Sequence, residues 1–349
     1  MLQSERLQTF VALGDFLRSP GAQSELTELA HRAHQKNNWF TPNNSLSALQ
    51  AIADEFLVAD KLISWAGSYA GASETETPVT PRLVGVVMAG NIPAVGFHDL
   101  LCILVSGHKV LAKLSSQDFV LIQYLIQKIK EINPGFSEYI EVAERLNAAE
   151  AYIATGSDNT ARYFEYYFAK KPHIIRRNRT SVGLLMGAEA QPEFEKLGHD
   201  LLDYFGLGCR NVSTLLVPDD YNFTGLLQTL EPQLPDYLNH HKYLNNYDYN
   251  KSIYLINQVP HYDNGFLLLT ENPGLVSPIS VVYYQTYRTM DDVTALLTER
   301  ADKIQVVASA DRGDGTGWYP GSVAFGQTQR PSLTDYPDGI DTMAFLAGL

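Results

Sequence analysis

Residues 83–114 read LVGVVMAGNIPAVGFHDLLCILVSGHKVLAKL, and this stretch decides the fold class. Residues 83–88 form an apolar run that ends at a Gly-Asn-Ile-Pro turn, which predicts a strand buried on both faces. Helical spacing over residues 94–106 follows, and Gly107 is the expected end of that helix. A second apolar run covers residues 109–114. This succession of strand, helix and strand predicts two parallel strands of one sheet.

The same alternation continues towards the carboxyl end. Either Ser115 or Ser116 is predicted to cap a helix that ends at Pro134. Further strands are predicted over residues 150–154, 181–186, 212–217, 267–270, 279–284 and 304–308, and further helices over residues 159–168, 192–205 and 290–299. We therefore expect an α/β protein made of two doubly wound domains.

On the amino side, residues 2–70 place apolar residues at helical spacing, so this opening is predicted to be helical. Residues 71–81 are small and polar with two prolines, which predicts an exposed connection. A length of 349 residues allows two domains. We expect residues 1–180 to hold the opening helices and the first α/β domain, residues 181–325 the second, and residues 326–349 a carboxyl-terminal tail.

Composition and charge exclude several classes of protein. The formal net charge of -13 argues against binding to nucleic acid or to an anionic membrane surface, since both would repel an acidic protein. The longest apolar stretches are far shorter than the roughly 20 residues needed to span a bilayer. The amino terminus lacks the pattern of a secretory signal, and the two cysteines stand in different contexts. A reducing, cytoplasmic location is therefore expected.

Cys209 is the candidate nucleophile. A Gly-Leu-Gly segment precedes it and Arg210 follows it, so its thiol is predicted to lie in a turn between a helix and a strand. A thiol reacts as the thiolate, and a neighbouring cation and exposed backbone amides lower its pKa. The residues alone leave open the alternative that Cys209 is a small buried residue. Cys102, within the apolar run of a predicted helix, is interpreted as a core residue.

Three further segments follow predicted strands and are candidates for binding. Asn91 lies at the strand edge where α/β sheets bind ligands, and its amide N–H can donate to an oxyanion. Residues 155–157, Thr-Gly-Ser, join a strand to a helix and can hold a pyrophosphate at the helix N-terminus. Lys113 is placed to reach a ribose or a phosphate. Ordinary turn geometry explains Asn91 equally well, and most exposed lysines are simply solvated. No Gly-x-Gly-x-x-Gly fingerprint follows a strand, which counts against a standard dinucleotide site.

Residues 170–179 form the one strongly basic stretch of this acidic chain. Phosphate binding and a solvated surface both fit such a stretch, and both interpretations stay open. Metal-ligand residue types occur at His240, His241, His261 and Asp263, but no second cluster stands at metal-site spacing. No metal site is therefore predicted, while a catalytic role for one of these histidines stays open.

Five motifs, in this order along the chain, resemble those of the aldehyde dehydrogenase superfamily. They are Gly90-Asn91-Ile92-Pro93, Ala112-Lys113-Leu114-Ser115-Ser116, Ala154-Thr155-Gly156-Ser157, Gly208-Cys209 and Glu271-Asn272-Pro273-Gly274. The resemblance covers residues 83–330 and is strongest with the acyl-CoA reductase branch, the LuxC-like family that supplies aldehyde in bacterial bioluminescence. Residues 323–327 and 336–341 also resemble that branch.

The resemblance implies an active-site cleft between a dinucleotide-binding domain and a catalytic domain. It implies that Cys209 is the nucleophile and that Asn91 is the oxyanion-hole amide. The residues with an implied cofactor contact are Lys113, Ser115 and Ser116 at the adenosine ribose or its phosphate, Thr155, Gly156 and Ser157 at the pyrophosphate, and Glu271 at the nicotinamide ribose. The unusual dinucleotide site of this superfamily also accounts for the missing glycine fingerprint.

Two departures from the superfamily sharpen the implied activity. Hydrolytic aldehyde dehydrogenases carry a water-activating glutamate in a Glu-Leu-Gly-Gly segment, whereas the matching residues 176–179 are Arg-Arg-Asn-Arg. Without that base, an acyl-enzyme would survive to accept hydride or to exchange with a thiol. Ser116 stands where NAD-preferring relatives place an acid against the ribose 2′-hydroxyl, so NADPH is favoured over NADH. Ala161 replaces a glycine common after the Thr-Gly-Ser turn, which leaves the cofactor pose open.

These implications together predict the NAD(P)H-dependent reduction of an acyl-CoA thioester to an aldehyde, through an acyl-enzyme on Cys209. Reduction of an acyl phosphate and nucleotide binding without catalysis are the alternatives. The acyl chain length and the formation of a homo-oligomer stay open.

Overall fold

The computed structural model describes residues 1–69 and 80–349, so most of the predicted connection over residues 71–81 lies outside the described residues. The chain divides into two compact units. The first comprises residues 1–178 together with residues 331–349, and the second comprises residues 179–330.

Most of the expected carboxyl-terminal tail therefore belongs to the first unit. Hydrogen bonds explain this placement, because Trp65 Nε1 donates to the Tyr336 hydroxyl at 2.8 Å. The Tyr69 hydroxyl also donates to Asp341 Oδ2 at 2.7 Å. These polar contacts and the burial of Leu346 anchor the chain end to the opening helices and the first domain.

The helices alternate with strands after an all-helical opening. They are α1 Gln3–Arg18, α2 Gln23–Lys36, α3 Pro42–Ala51, α4 Ala59–Gly67, α5 Phe97–Ser106, α6 Phe119–Ile132, α7 Asp158–Phe168, α8 Gln191–Leu202, α9 Thr224–Leu230, α10 Leu234–Leu238, α11 His241–Ile256, α12 Met290–Glu299 and α13 Thr342–Ala347. None of these helices is both long and apolar enough to cross a bilayer.

The strands are short, and most of them are buried. They are β1 Leu83–Val87, β2 Lys109–Lys113, β3 Ile140–Val142, β4 Ala151–Thr155, β5 His173–Arg176, β6 Thr180–Leu184, β7 Val212–Pro218, β8 Tyr262–Asp263, β9 Leu268–Glu271, β10 Val281–Tyr287, β11 Ile304–Ser309 and β12 Val323–Ala324. They form one sheet in each unit.

The sheet of the first unit has the strand order β3-β2-β1-β4-β5, and all its neighbours are parallel. Its central strand β1 is apolar and buried because helices cover both faces of such a sheet, as the run over residues 83–88 predicts. Phe97, Leu100 and Ile103 of α5 pack into the same core. The prediction of a parallel α/β domain here is confirmed.

The sheet of the second unit has the order β12-β11-β6-β7-β10-β9-β8. Its strands run parallel except for β8, which pairs antiparallel with β9. The apolar side chains of β6 pack with Val293 and Leu297 of α12. The prediction of a second α/β domain is confirmed as well.

Two predicted helix starts are wrong, and both lie beside the first sheet. Helix α6 begins at Phe119, because Ser115 and Asp118 close a turn in which the Asp118 N–H donates to the Ser115 carbonyl at 3.2 Å. Ser115 and Ser116 therefore do not cap it. Helix α5 begins at Phe97 because Ala94 has a φ of 56°, a left-handed conformation that interrupts a helix.

Candidate active site

Most of the candidate cofactor residues lie at the carboxyl edge of the first sheet. Val87 at the end of β1 pairs with Lys113 of β2 on one side and with Ala154 of β4 on the other. Since these strands are parallel, Lys113, the Asn91 turn and Thr155 all leave the sheet at the same edge. Ligands of doubly wound proteins bind at this edge.

Asn91 lies in a tight turn, and its side chain is exposed. A Cβ on Gly90 would stand 2.3 Å from Ser115 Oγ and 2.6 Å from Ser115 Cβ, so only glycine fits there. Ser115 Oγ also accepts the Gln117 N–H at 3.2 Å. The structure thus places Ser115 beneath the Asn91 turn, while Ser116 is exposed beside it.

The Thr155-Gly156-Ser157 segment forms the turn into α7. Ser157 Oγ accepts the Thr160 N–H at 3.3 Å and caps the helix. The Gly156 N–H donates to the Arg176 carbonyl at 3.3 Å. A Cβ on Gly156 would stand 3.0 Å from Thr160 Cβ, which favours glycine at this helix N-terminus. Backbone amides and the helix dipole can receive a phosphate at such a turn.

Arg176 lies at the end of β5 and belongs to the basic stretch over residues 170–179. The sequence allowed two interpretations of that stretch, phosphate binding and a solvated surface. Arg176 is 1% exposed, and its Nη1 donates to both oxygens of Asp99 at 2.8 and 2.7 Å. Nη2 donates to Thr342 Oγ1 at 2.8 Å. For Arg176 both interpretations are wrong, because its guanidinium is committed to a buried ion pair. Arg177 fits the solvated interpretation, since it pairs with Glu165 at the surface.

Cys209 lies in the second unit, in the turn that leads into β7, and its side chain is half-buried. Ser181 Oγ donates to the Cys209 carbonyl at 3.0 Å. Asn211, which is 1% exposed, accepts the Gly208 N–H at 2.9 Å. Its Nδ2 donates to the carbonyls of Asp200 and Asp203 at 3.2 and 2.8 Å. The backbone on both sides of the thiol is therefore fixed.

The segment before this turn departs from the predicted helix over residues 192–205. Helix α8 ends at Leu202, and Tyr204 and Phe205 take left-handed φ values of 53° and 59°. Such conformations cost about 1–3 kcal/mol each and persist where the surroundings enforce them. Here Phe205 stacks on His240 with ring centroids 4.2 Å apart. His240 Nδ1 also accepts the Tyr243 N–H at 3.2 Å, so His240 supports this segment.

Glu271 lies in the same unit as Cys209, on a strand of the second sheet. It is the last residue of β9, exposed, and aligned through Tyr284 of β10 with Leu215 of β7. Cys209 precedes β7 and so lies at the amino edge of the same sheet, whereas Glu271 lies at the carboxyl end of its strand.

Sequence reasoning missed two residues that build these turns. The only feature of the sequence that could have drawn attention to Asn211 is its position two residues after Cys209. No sequence pattern singles out Asp118. No group of three or more His, Cys, Asp or Glu side chains that could hold a metal ion occurs in residues 1–69 and 80–349.

Replacing Asn211 by alanine is expected to lower the free energy of unfolding by at least about 2 kcal/mol. The substitution removes the hydrogen bonds that Asn211 makes to a buried N–H and to two carbonyls, and a buried group left unsatisfied costs about 1–3 kcal/mol. Urea denaturation measures the effect. Asn222→Ala is the matched control, because the exposed Asn222 also accepts a backbone N–H, that of Thr224 at 2.9 Å. Equal losses in the two variants would contradict a special role for Asn211.

The contribution of Asp200 to the free energy of unfolding is expected to decrease as the pH rises. Burial raises the pKa of its carboxyl from 3.8 to about 6, and hydrogen bonds from Gly326 and Thr328 partly offset this rise. As the pH rises the unfolded chain loses this proton first, so the folded state loses stability between about pH 4 and 6. The unfolding free energy of the wild type minus that of Asp200→Asn should decrease over this interval. A difference that stays flat or increases would refute the effect.

The two sheets together define the class of the molecule, an aldehyde-dehydrogenase-like fold with parallel α/β sheets. An NAD-dependent aldehyde dehydrogenase from Sinorhizobium meliloti matches with a TM-score of 0.62 at 14% identity, over 90% of this chain and 71% of its own. An NADP-dependent enzyme from E. coli matches with a TM-score of 0.65 at 12% identity, over 90% and 74% of the two chains.

A third solved structure of the same fold is a variant of the propionaldehyde dehydrogenase from the fucose-utilisation microcompartment of Clostridium phytofermentans. It matches with a TM-score of 0.59 at 9% identity, over 90% of this chain and 79% of its own. No family model and no curated protein matches the sequence.

Proposed function

We propose that this chain reduces an acyl-CoA thioester to an aldehyde, with NADPH or NADH as the reductant, through an acyl-enzyme on Cys209. One observation carries the proposal: the position that matches the water-activating glutamate of hydrolytic aldehyde dehydrogenases holds Arg176. This guanidinium is buried and ion-paired with Asp99. A guanidinium in that state has no acceptor atom and takes no proton from water. An acyl-enzyme would therefore lack its hydrolytic base at this position.

The fold supports the use of a nicotinamide cofactor, because the neighbours include enzymes described as NAD-dependent and NADP-dependent. It also supports chemistry at the aldehyde level, since two of those neighbours are aldehyde dehydrogenases by description. The acyl-CoA substrate is our inference from the resemblance in sequence and from Arg176.

The residues at the carboxyl edge of the first sheet fit a dinucleotide. Residues 155–157 offer backbone amides at the start of α7, and Lys113 adds an exposed cation at the same edge. Thr155, Gly156 and Ser157 would hold the pyrophosphate, and Lys113 with Ser116 the adenosine ribose. Ser115 would support this segment, and Glu271 would contact the nicotinamide ribose. When bound, the reduced cofactor supplies hydride to the acyl group.

In the proposed reaction the Cys209 thiolate attacks the thioester carbonyl and forms a new carbon–sulfur bond. The Asn91 amide and the Cys209 N–H donate hydrogen bonds to the resulting oxyanion, and each such donor is worth about 100-fold to 1000-fold in rate. When the oxyanion collapses, the bond to coenzyme A breaks and that thiolate leaves. After hydride transfer, Cys209 leaves as thiolate and the aldehyde is released. The fixed turn around Cys209 keeps the thiol in place for both steps.

A substrate panel tests the proposal. Oxidation of NADPH and NADH is followed with acyl-CoA thioesters of increasing chain length and with acyl phosphates, and the aldehyde product is identified. We expect turnover with acyl-CoA and little with acyl phosphate. Faster turnover with acyl phosphate would favour that alternative substrate. Cofactor binding without any turnover would instead make this chain a nucleotide-binding protein.

Replacing Ser116 by glutamate is expected to change the choice of cofactor. Ser116 is exposed beside Lys113, and a carboxylate there would repel a ribose 2′-phosphate while accepting a hydrogen bond from a 2′-hydroxyl. The ratio of kcat/KM for NADPH to that for NADH should fall by about 10-fold or more, since 1.4 kcal/mol of repulsion suffices. Gln117→Glu adds the same charge at the next exposed position and should change the ratio much less. Equal changes in both variants would argue against a contact at Ser116.

A further inference from the structure

Asp118 is a buried carboxyl group that the sequence and the proposed mechanism leave unused. It directly precedes α6, is 2% exposed, and makes no side-chain cap to that helix. Among residues 1–69 and 80–349 neither of its oxygens makes a hydrogen bond of ordinary geometry, and the backbone N–H of Ala94 lies close enough to act on the carboxyl. An ionised carboxylate with no counter-charge and so little hydrogen bonding is very costly to bury, so such a group takes up a proton. The geometry therefore calls for a neutral carboxylic acid at this position.

Asp118 lies against both ends of the turn that carries Asn91. A Cβ on Gly90, the first residue of the turn, would stand 3.2 Å from Asp118 Cβ. Burial raises the pKa of the Asp118 carboxyl well above its usual range, and the backbone N–H of Ala94, at the far end of the turn, partly opposes this rise. Asn91 thus lies between Gly90 and Ala94, and both of these residues border the buried Asp118 side chain.

The turn itself stores strain. Ala94 has a φ of 56°, which is rare for a residue with a side chain and persists only where the surroundings hold it. The Ala94 N–H faces the Asp118 carboxyl, and the Ser115 and Asp118 side chains lie beneath Gly90 at the other end of the turn. Removing the Asp118 carboxyl would leave the strained end of the turn with less support.

We propose that Asp118 is a positioning residue: as a neutral carboxylic acid it holds the turn over residues 90–94 and thereby sets the Asn91 amide. This role rests on the proposed function, because Asn91 stabilises an oxyanion only in the proposed reaction. A shift of an oxyanion donor affects the transition state more than cofactor binding. Asp118 should therefore influence kcat and leave the KM for the cofactor nearly unchanged.

Two variants test the kinetic part. Asp118→Asn keeps the shape of a neutral acid and is expected to retain kcat for acyl-CoA reduction to within about 3-fold. Asp118→Ala is expected to lower kcat by about 10-fold to 100-fold, with the KM for NADPH within about 3-fold, as expected for a donor displaced by less than about 1 Å. A kcat unchanged in the alanine variant would overturn the positioning role. An equal loss in both variants would overturn the neutral state.

Two measurements without turnover separate this inference from the proposed function. The infrared difference between the wild type and Asp118→Asn at pH 7 should contain the carbonyl band of a protonated carboxylic acid. Amide hydrogen exchange in residues 88–97 should be faster in Asp118→Ala than in the wild type and in Glu131→Gln, a control that alters an exposed acid of α6. If the wild type reduces no acyl-CoA, the proposed function fails and these two measurements still decide on Asp118.

Absence of the acid band, or equal exchange in all three proteins, would overturn the inference. If the alanine variant does not fold, the difference spectrum of the asparagine variant decides alone.

Discussion

Replacing Cys209 by serine is expected to lower acyl-CoA-dependent NADPH oxidation by on the order of 10⁴-fold or more. Loss of a covalent nucleophile has effects of this size because the remaining groups stabilise a transition state that no longer forms. The substitution exchanges one atom in a turn that Asn211 and Ser181 hold, so the fold should survive. Steady-state rates with a saturating acyl-CoA, together with a circular dichroism spectrum, measure both effects.

Cys102 supplies the matched control for this prediction. It lies in α5, is fully buried, and desolvation raises the pKa of its thiol well above the usual range. A buried thiol of high pKa is inert, so Cys102→Ala should keep most of the activity of the wild type. Retained turnover in Cys209→Ser, or equal losses in the two variants, would contradict the assignment of the nucleophile.

Replacing Arg176 by alanine is expected to lower the free energy of unfolding by about 3–5 kcal/mol. The substitution leaves Asp99 as a buried carboxylate without its counter-charge, and desolvation of that group is then uncompensated. Urea denaturation at pH 7 measures the loss. Arg177→Ala is the control, because its pair with Glu165 is half-exposed and such pairs contribute about 1 kcal/mol or less.

A double variant sharpens this test. In Arg176→Met with Asp99→Leu, both charges are replaced by apolar side chains, which is often neutral or even stabilising for a buried pair. We expect the double variant to recover most of the stability lost in Arg176→Ala. If Arg176→Ala loses no more than Arg177→Ala, the buried ion pair does not contribute as described.

Local patterns predicted most of the strands and helices. The apolar run over residues 83–88 became β1, and the run over residues 109–114 became β2, because strands covered on both faces have no alternation to obscure them. The predicted helix over residues 290–299 has the bounds of α12. Strand order in the second sheet had no local signal, since β6 pairs with β11 from a distant part of the chain.

The turns were harder to predict than the strands. Thr155-Gly156-Ser157 was expected at a helix N-terminus and lies there, because serine caps and glycine in tight turns act locally. The burial of Arg176 was not predicted, because its partner Asp99 is 77 residues away and a basic run is usually solvated. The left-handed conformations of Tyr204 and Phe205 were not predicted, because the stacking of Phe205 on His240 is a tertiary contact that leaves no trace in the local pattern.

The fold and the buried ion pair bear on different questions about this protein. The parallel sheets and the solved neighbours show an aldehyde-dehydrogenase-like fold, whereas the proposed choice of reduction over hydrolysis depends on Arg176 and its pair with Asp99. The fate of the acyl-enzyme therefore separates this account from that of a hydrolytic aldehyde dehydrogenase.

The most direct measurement is the intact mass of the protein after mixing with an acyl-CoA in the absence of cofactor. We predict a mass increase of one acyl group on the peptide that contains Cys209, an adduct that persists in water and is released as aldehyde when NADPH is added. Cys209→Ser should gain no such mass. Failure to form the adduct, or its rapid release as free acid before NADPH is added, would contradict the account.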